Sequence, residues 1–504
     1  MLEKDIDKNI AFVKNKFGNA PDISFREYIV DKKKLVLVFN ESITEGANIN
    51  NFILKKITSF NNAATNDLYN FVFNNLPNNK VKEGKDYTEL LNYIYNGFVI
   101  ILIDGYDKFI AVEEKKNLYR SITEPMTEQT ISGPKDSFNE SYMTNIGLIR
   151  KRIKSDNLKI EESVYGKETK NKLSVLYMDN IVQEDLVIEV RNRLKKINID
   201  AILDSSYVEE IINDNNSSFP TLITTERPDL AVMSLLEGRV LIVVENSPYV
   251  IVIPTFFVDL FHAPEDNYQK SINVTFTRVI RMISFILAII LPSFYIAITT
   301  YNHETIPTSL LVNFASQRAT VPFPAVVEAL GMILVFEVLR ESDVRLPKFS
   351  GSAISILGAI VLGDAAVSAG IVSPIMLIII ATSAICSLTF SQIAMVNAIR
   401  LWRIIFMIFA TCFGMPGIFM AVFFFLAHLT DLTSFNKPYI YPVAPFNFTF
   451  FRRWIFKLNI KKDNKRSKVL TNKNYIRSRL WENYSFCYLL FFLYFFLLDV
   501  LILN

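Results

Sequence analysis

Hydrophobic and polar positions divide this chain near residue 270. Before that point short apolar runs alternate with charged ones. From Phe276 to Leu429 the sequence is almost continuously apolar, broken only by short polar clusters. In the first part, residues 4–17 repeat apolar positions at helical spacing, and Lys34-Leu35-Val36-Leu37-Val38-Phe39-Asn40 reads as a compact buried strand. A helical stretch from Asn50 to Tyr95 follows. Residues 97–112 then place two β-rich runs around Asp104-Gly105, a strong hairpin signature because glycine enters a positive-φ turn without strain.

The same order returns about 140 residues later: a strand at Leu173–Met178, a helix at Glu184–Lys196 and a hairpin over residues 238–253. Glu245-Asn246 then aligns with Asp104-Gly105. Any two hairpins look alike, but the shared strand–helices–hairpin order predicts two related α/β subdomains, residues 1–120 and 156–270. Hairpins combined with helices point to a mixed α+β region, not a doubly wound parallel sheet. Residues 121–155 read as a linker followed by a basic helix, Thr144–Lys154. That helix offers either a solvated face or a surface for a neighbouring subunit or acidic lipid.

The run Met282–Ile298 is the core of a segment able to cross a bilayer, which takes about 20 apolar residues. Spans are predicted at 276–299, 320–340, 351–371, 373–396 and 402–428, within a membrane domain over residues 271–430. A basic region, 431–483, and an apolar tail, 484–504, come after it. Arg278 with Arg281, then Arg340, Arg345 and Lys348, then Arg400 with Arg403 flank these spans. The positive-inside rule puts all three clusters in the cytoplasm, together with an N-terminal region that begins Met1-Leu2-Glu3-Lys4-Asp5 and has no secretory leader. Five spans would carry the C-terminal side out, whereas Arg452–Arg479 is basic and belongs inside. Either residues 307–340 are partly re-entrant, or Gly414-Met415-Pro416-Gly417 breaks the last helix into a hairpin. The expected fold is thus an α+β cytoplasmic region followed by an all-α polytopic membrane domain.

Candidate functional residues lie in that second half. The third span holds Gly351, Gly358, Gly363 and Gly370 among alanines, which lets helices approach closely. It also holds Asp364, and a carboxylate within a span is costly enough to need a cavity, a partner or a conduction path. Ser368, four residues on, shares its face. Around a subunit axis that face would form a ring of acceptors suited to cations. The alternative is an ion pair of Asp364 with Arg318 or with a basic group of another subunit. Glu328 and Glu337, nine residues apart, fall on roughly opposite helix faces. Glu328 is the second conduction or gating candidate, beside Pro322 and Pro324, which would break the preceding helix. Glu337 and Arg340, three apart, suggest a boundary ion pair.

Composition narrows the function class. With 504 residues, 20% of them charged, and a net charge of +3, nothing calls for a nucleic-acid partner. Cys386, Cys412 and Cys487 sit in apolar runs and read as buried, inert thiols. His262, His303 and His428 lack ligand spacing. No Walker A loop, strand-linked GxGxxG, HExxH or GxSxG occurs, so neither enzyme, metal nor cofactor is expected. Binding, transport or signalling is left, and the inverted membrane repeats of a secondary transporter are not seen.

Several short motifs, in one order over residues 130–450, carry a resemblance. They are Ser132-Gly133-Pro134-Lys135-Asp136-Ser137-Phe138, Asn145–Ile153, Thr225-Glu226-Arg227-Pro228-Asp229, Leu236-Glu237-Gly238-Arg239-Val240 and Pro264-Glu265-Asp266. In the apolar half they are Ile306-Pro307-Thr308, Val321-Pro322-Phe323-Pro324, Phe336–Glu341 and Val344-Arg345-Leu346-Pro347. The chain resembles the A subunits of GerA-type nutrient germinant receptors of bacterial endospores. That resemblance implies a complex in the spore's inner membrane, made with a transporter-like, nutrient-sensing B subunit and a lipoprotein C subunit. It also implies a homo-oligomer, a pentamer, around an ion-conducting pore. The function expected is a nutrient-gated cation channel subunit, with a non-conducting scaffold or signal-relay subunit as the alternative. One departure is the Phe-rich segment Tyr484–Leu503, interrupted by Asp499, where such chains end in a basic tail. An extra span, a membrane-surface helix or an altered reading frame would each account for it.

Overall fold

A computed structural model describes residues 1–477 except 19, 60–66, 78–79, 117–124, 126–127, 129, 131, 214–216, 346–362, 460–462 and 472. The apolar tail and most of the third predicted span therefore lie outside the described residues. The first repeat runs α1 (Ile6–Phe17), β1 (Ile23–Val30), β2 (Lys33–Asn40), α2 (Leu68–Asn75), β3 (Val81–Gly84), α3 (Tyr87–Tyr95), β4 (Phe98–Ile103) and β5 (Phe109–Glu113). A helical run over 46–58 precedes α2. The second runs α4 (Tyr142–Arg152), β6 (Leu158–Tyr165), β7 (Asn171–Met178), α5 (Glu184–Leu194), α6 (Ser205–Ile212), β8 (Ile223–Thr225), α7 (Pro228–Glu237), β9 (Val240–Val244) and β10 (Val250–Ile253). The sheet orders β1-β2-β4-β5-β3 and β6-β7-β9-β10-β8 are the same path walked twice, antiparallel throughout.

Local chemistry explains the correspondence. Strands β4 and β9 are buried at every position, so they read as unbroken apolar runs, as strands covered on both faces do. The hairpins after them pair Leu102 with Phe109 and Val243 with Val250. Their turns hold Gly105 at φ 87° and Asn246 at φ 65°, residue types that enter the left-handed region most easily. Helices α3 and α7 lead into β4 and β9 through Gly97 and Gly238, both at positive φ. At α7 the Gly238 and Arg239 amides donate to the carbonyls of Leu235 and Ser234, which closes the helix end.

Helix α4 differs from both sequence expectations. Its residues from Tyr142 to Arg150 are buried apart from Met143, and it opens the second repeat as α1 opens the first. Arg150, 2% exposed, donates to Asp22 of the first repeat from Nε (2.9 Å) and Nη2 (3.3 Å). The basic helix is thus the weld between the repeats, not a solvated or lipid-facing surface.

The second half is helical: α8 (Ser271–Thr300), α9 (Thr308–Arg318), α10 (Ala325–Arg345), a short helix over 363–368, α11 (Pro374–Ser387), α12 (Ile393–Phe413), α13 (Met415–Asp431) and, further on, α14 (Phe448–Ile455). Helices α8 and α12 run parallel, since at their C-terminal ends Tyr301 Oη donates to the Thr411 carbonyl at 2.7 Å. Gly414, at φ 65°, then reverses the chain, and α13 returns along them. The predicted span 402–428 is therefore two antiparallel pieces, of which the first begins at Ile393. Arg400 and Arg403, expected to follow the fourth span, lie inside α12.

Beyond α13 the chain comes back to the second repeat. Ser434 Oγ donates to the Thr221 carbonyl (2.6 Å), Tyr439 Oη to the Pro220 carbonyl (2.9 Å) and the Gln183 amide to the Leu470 carbonyl (3.2 Å). The basic region and the N-terminal domain thus share one side of the helices. Ile283, Ile286, Leu334, Val338, Ile378, Ile385, Ile408, Phe419 and Phe423 point outward from the helices, an apolar exterior that water would not tolerate. Cys412 is exposed on α12 and Cys386 half-buried, so neither is sealed in the core as the sequence suggested.

Candidate functional site

Polar groups stitch the helices together where the chain itself leaves an atom unbonded. Pro292 interrupts α8 and has no N–H to offer Ala288, four residues earlier. The freed Ala288 carbonyl accepts instead from Ser383 Oγ of α11 (2.7 Å) and from Arg403 Nε of α12 (3.0 Å). One proline therefore creates the acceptor that holds three helices. It also gives a buried arginine part of the partnership that its burial demands.

The candidates from sequence fall into two groups. Glu328 is buried, and its Oε2 accepts from the Ser373 amide (3.0 Å) and Ser373 Oγ (2.9 Å) at the start of α11. Arg318 Nε stands 3.9 Å from its other oxygen, so Arg318 is turned to Glu328. Pro322 and Pro324 lie in the break between α9 and α10. Glu337 pairs with Arg400 Nη1 of α12 at 2.5 Å, which draws α10 to α12. Arg340, one turn along from Glu337, does not share that pair among the described residues. Asp364 and Ser368 occupy one exposed face of the short helix over 363–368, and no hydrogen bond or ion pair joins Asp364 to a described residue.

A second polar assembly, not anticipated as a site, joins the N-terminal domain to the helix ends. Asp266 is buried and takes a two-pronged contact from Arg281 (2.8 and 2.9 Å) and a third bond from Arg278 Nε (3.2 Å). Burial pushes this carboxyl up, yet the Arg281 bonds and the two guanidinium charges win and hold it below the usual range. Arg227, fully buried, donates to both carboxylate oxygens of Asp229 (2.9 and 3.2 Å), to Thr130 Oγ1 (2.8 Å) and to the Pro134 carbonyl (2.9 Å). Glu128 accepts from Thr225 Oγ1 (2.5 Å) and from Gln392 Nε2 (3.1 Å), the residue that caps α12. Burial raises the Glu128 carboxyl above its ordinary value despite those donors. The signal was available, because Ser132–Phe138, Thr225–Asp229 and Pro264–Asp266 carried the resemblance. Their function as one buried joint needed the fold.

The joint lies within the stretch, residues 11–469, that matches the Bacillus/Clostridium GerA spore germination protein family. The chain belongs to the GerA spore germination protein family. It is 37% identical over 482 residues to spore germination protein KA of Bacillus subtilis (strain 168), covering 95% of this chain and 89% of that one. It is 33% identical over 459 residues to spore germination protein GerLA of Bacillus cereus, covering 90% and 92%. The crystal structure of the N-terminal domain of the A subunit of the Bacillus megaterium spore germinant receptor GerK3 aligns at 29% identity and a TM-score of 0.41, over 51% of this chain and 97% of that one. Helices Ser271–Thr300 and Ile393–Phe413 are each long and apolar enough to cross a bilayer. Together with the family membership they point to a membrane protein with an α/β N-terminal domain.

Proposed function

We propose that this chain is the A-type subunit of a nutrient-responsive germination receptor in the spore's inner membrane and that its copies surround a cation-conducting pore. A transporter-like B subunit would sense the nutrient and a lipoprotein C subunit would complete the complex. A homo-oligomer, a pentamer by family resemblance, would bring the 363–368 helices to a common axis. The observation that carries the reading is Asp364: a carboxylate on an exposed helix face, one turn from Ser368 and without an intramolecular partner among the described residues. Such a group in an apolar domain calls for water, ions or another subunit.

Glu328 and Glu337 take a different part in this proposal. Both are held by neighbouring helices, so they would fix how α10, α11 and α12 move together and leave the conducting face to Asp364 and Ser368. Topology is consistent with the channel reading. The C-terminal region docks on the second repeat, so an even number of crossings would separate the two, and the proposal puts both on the cytoplasmic, core side.

Ion flux from vesicles that contain the whole complex tests the reading. Nutrient addition should start cation efflux, and Asp364→Asn should cut its rate at least about tenfold or change its selectivity. Nutrient-dependent efflux that Asp364→Asn leaves untouched removes this residue from the path. Cross-linking that finds one copy per complex sinks the channel and leaves the scaffold or relay role.

A further inference from the structure

Helix α14 is short, aromatic and basic: Phe448-Thr449-Phe450-Phe451-Arg452-Arg453-Trp454-Ile455. Asn447 starts it, its Oδ1 accepting from the Phe450 amide (3.4 Å). Arg278 of α8 closes it, donating from Nη1 to the carbonyls of Arg453 (3.1 Å) and Trp454 (3.2 Å). Phe450 and Trp454 turn inward and pack against Phe256, Val258 and Tyr441. Phe448, Phe451 and Ile455, at i, i+3 and i+7, share a different face. Phe448 is 65% exposed, and Phe446, just before the helix, is as open and packs its ring on Phe451.

The contacts with α8 fix the level of this open face. Arg278 holds the end of α14, and the Lys457 amide beyond it donates to Thr275 Oγ1 (3.3 Å). Thr275 and Arg278 stand 26 and 23 residues before Tyr301, at the far end of α8. Helix rise makes that about 35–39 Å. The hydrocarbon core of a bilayer is about 30 Å thick and the whole bilayer about 40–45 Å. With the far end of α8 at one edge of the core, α14 falls in the opposite headgroup layer. Charge agrees with that depth. Residues 448–477 hold ten lysines and arginines against one aspartate, Asp463, which Arg453 and Arg477 already share. Phenylalanines beside basic residues suit a surface of acyl chains and phosphates. A second copy of the same surface would bring like charges together.

We propose that α14 lies in the headgroup layer of an anionic phospholipid leaflet, with Phe446 and Phe448 among the upper acyl chains. Lys457 Nζ, just past the helix, donates to the carbonyls of Asp266 (2.6 Å), Asn267 (3.1 Å) and Gln269 (2.7 Å). Arg278 bonds both α14 and the Asp266 carboxylate. Lipid that holds α14 therefore steadies the buried joint between the N-terminal domain and the helices. The inference rests on α8 and α12 crossing a bilayer and is independent of ion conduction.

Spin labelling of the full chain tests it, with the native cysteines replaced by serine. The chain is reconstituted in nanodiscs of phosphatidylcholine alone or mixed equally with phosphatidylglycerol. Phe448→Cys carries the label, and Ile29→Cys on the first repeat and Ile283→Cys on α8, both at exposed positions, are the references. Collision with oxygen relative to a water-soluble nickel chelate reads depth. The Phe448 ratio should exceed that of Ile29 at least about threefold, stay below that of Ile283 and rise with phosphatidylglycerol. A Phe448 ratio equal to that of Ile29 overturns the inference, as does one that phosphatidylglycerol leaves unchanged. Spin–spin broadening at Phe448 that unlabelled chain dilutes away overturns it too, by placing a second copy there. An Ile283 label as wet as that of Ile29 is a separate failure, which removes the bilayer reading of α8 and the inference with it.

Discussion

In the first repeat the ion pairs lie at the surface: Lys34 with Asp7 and Glu27, Lys80 and Lys115 with Glu113, Lys85 with Asp107. In the second, several of the arginines go inside, with Arg227 on Asp229 and Arg239 on Asp259. The two share one chain path, so the difference lies in what each must hold. The second repeat binds the C-terminal region and the helix ends, and the first meets the rest largely through the second. Surface pairs contribute about 0–1 kcal/mol each. A buried pair adds little net stability, but losing one partner strands a charge and costs about 3–5 kcal/mol. A duplicated fold has thus been given one tolerant copy and one brittle copy, and the brittle one stands next to the apolar helices.

The largest expected effect is at the weld between them. Asp22→Ala strands Arg150, whose guanidinium keeps, among the described residues, only the Leu158 carbonyl (3.3 Å), and should destabilise the N-terminal domain by about 3–5 kcal/mol. Thermal unfolding of the full chain reads this directly. Lys80→Ala, which removes one surface partner of Glu113 and leaves Lys115, should stay within about 0.5 kcal/mol. Equal shifts for the two variants would erase the contrast between buried and exposed pairing.

Next in size is a dependence on pH that only the second repeat should show. Burial, with Arg278 nearby, brings His262 down to about 3 from its ordinary value. Between there and about 6.5 the unfolded chain binds a proton that the folded one refuses, so stability falls by about 1.4 kcal/mol for each pH unit of acidification. Asp266, held low by its arginines, acts in the same direction: its contribution is complete above the ordinary aspartate range and is lost as pH falls through its folded value. Glu128, pushed up, opposes both, because the folded state takes its proton first. From pH 7 to pH 5 the His262 effect alone amounts to about 2 kcal/mol. His262→Gln should flatten the unfolding profile over that window, and an unchanged slope would show that the ring titrates freely. Residues 1–120 contain no histidine, so no corresponding slope belongs to the first repeat.

Patterning alone revealed β2, β7, both hairpins and the duplication, because those depend on neighbours in sequence. It did not reveal β1, β3, β6 or β8, and β3 interrupts the stretch from Asn50 to Tyr95 expected to be helical. What it misread depends on distant partners. Arg150-Lys151-Arg152 looks like a solvated face until Asp22, 128 residues away, takes the first and Asp136 the third. Arg400 and Arg403 look like a cytoplasmic cluster flanking a span until Glu337 takes the first and the proline-freed Ala288 carbonyl takes Nε of the second within α12. Helical spacing pairs Glu337 with Arg340, whereas the packing of α10 on α12 offers Arg400. The break at Gly414 was legible as one of two ways to reconcile span count with tail charge. Choosing it required the contact of Tyr301 with Thr411.

The smallest expected effect tests how far the two repeats are interchangeable. Their hairpin turns place Gly105 and Asn246 at equivalent points, both at positive φ, and a Cβ built on Gly105 meets nothing within 4 Å. Asparagine already holds the second turn, so Gly105→Asn should change the unfolding free energy by less than about 0.5 kcal/mol. Gly105→Val, with the same open space, carries a branched Cβ into the left-handed region and should cost about 1–2 kcal/mol. Because space is the same for both, the gap between the variants isolates backbone conformation from packing. If Gly105→Asn proves as costly as Gly105→Val, the turns are alike in outline only, and their alignment no longer supports a duplicated fold at residue level.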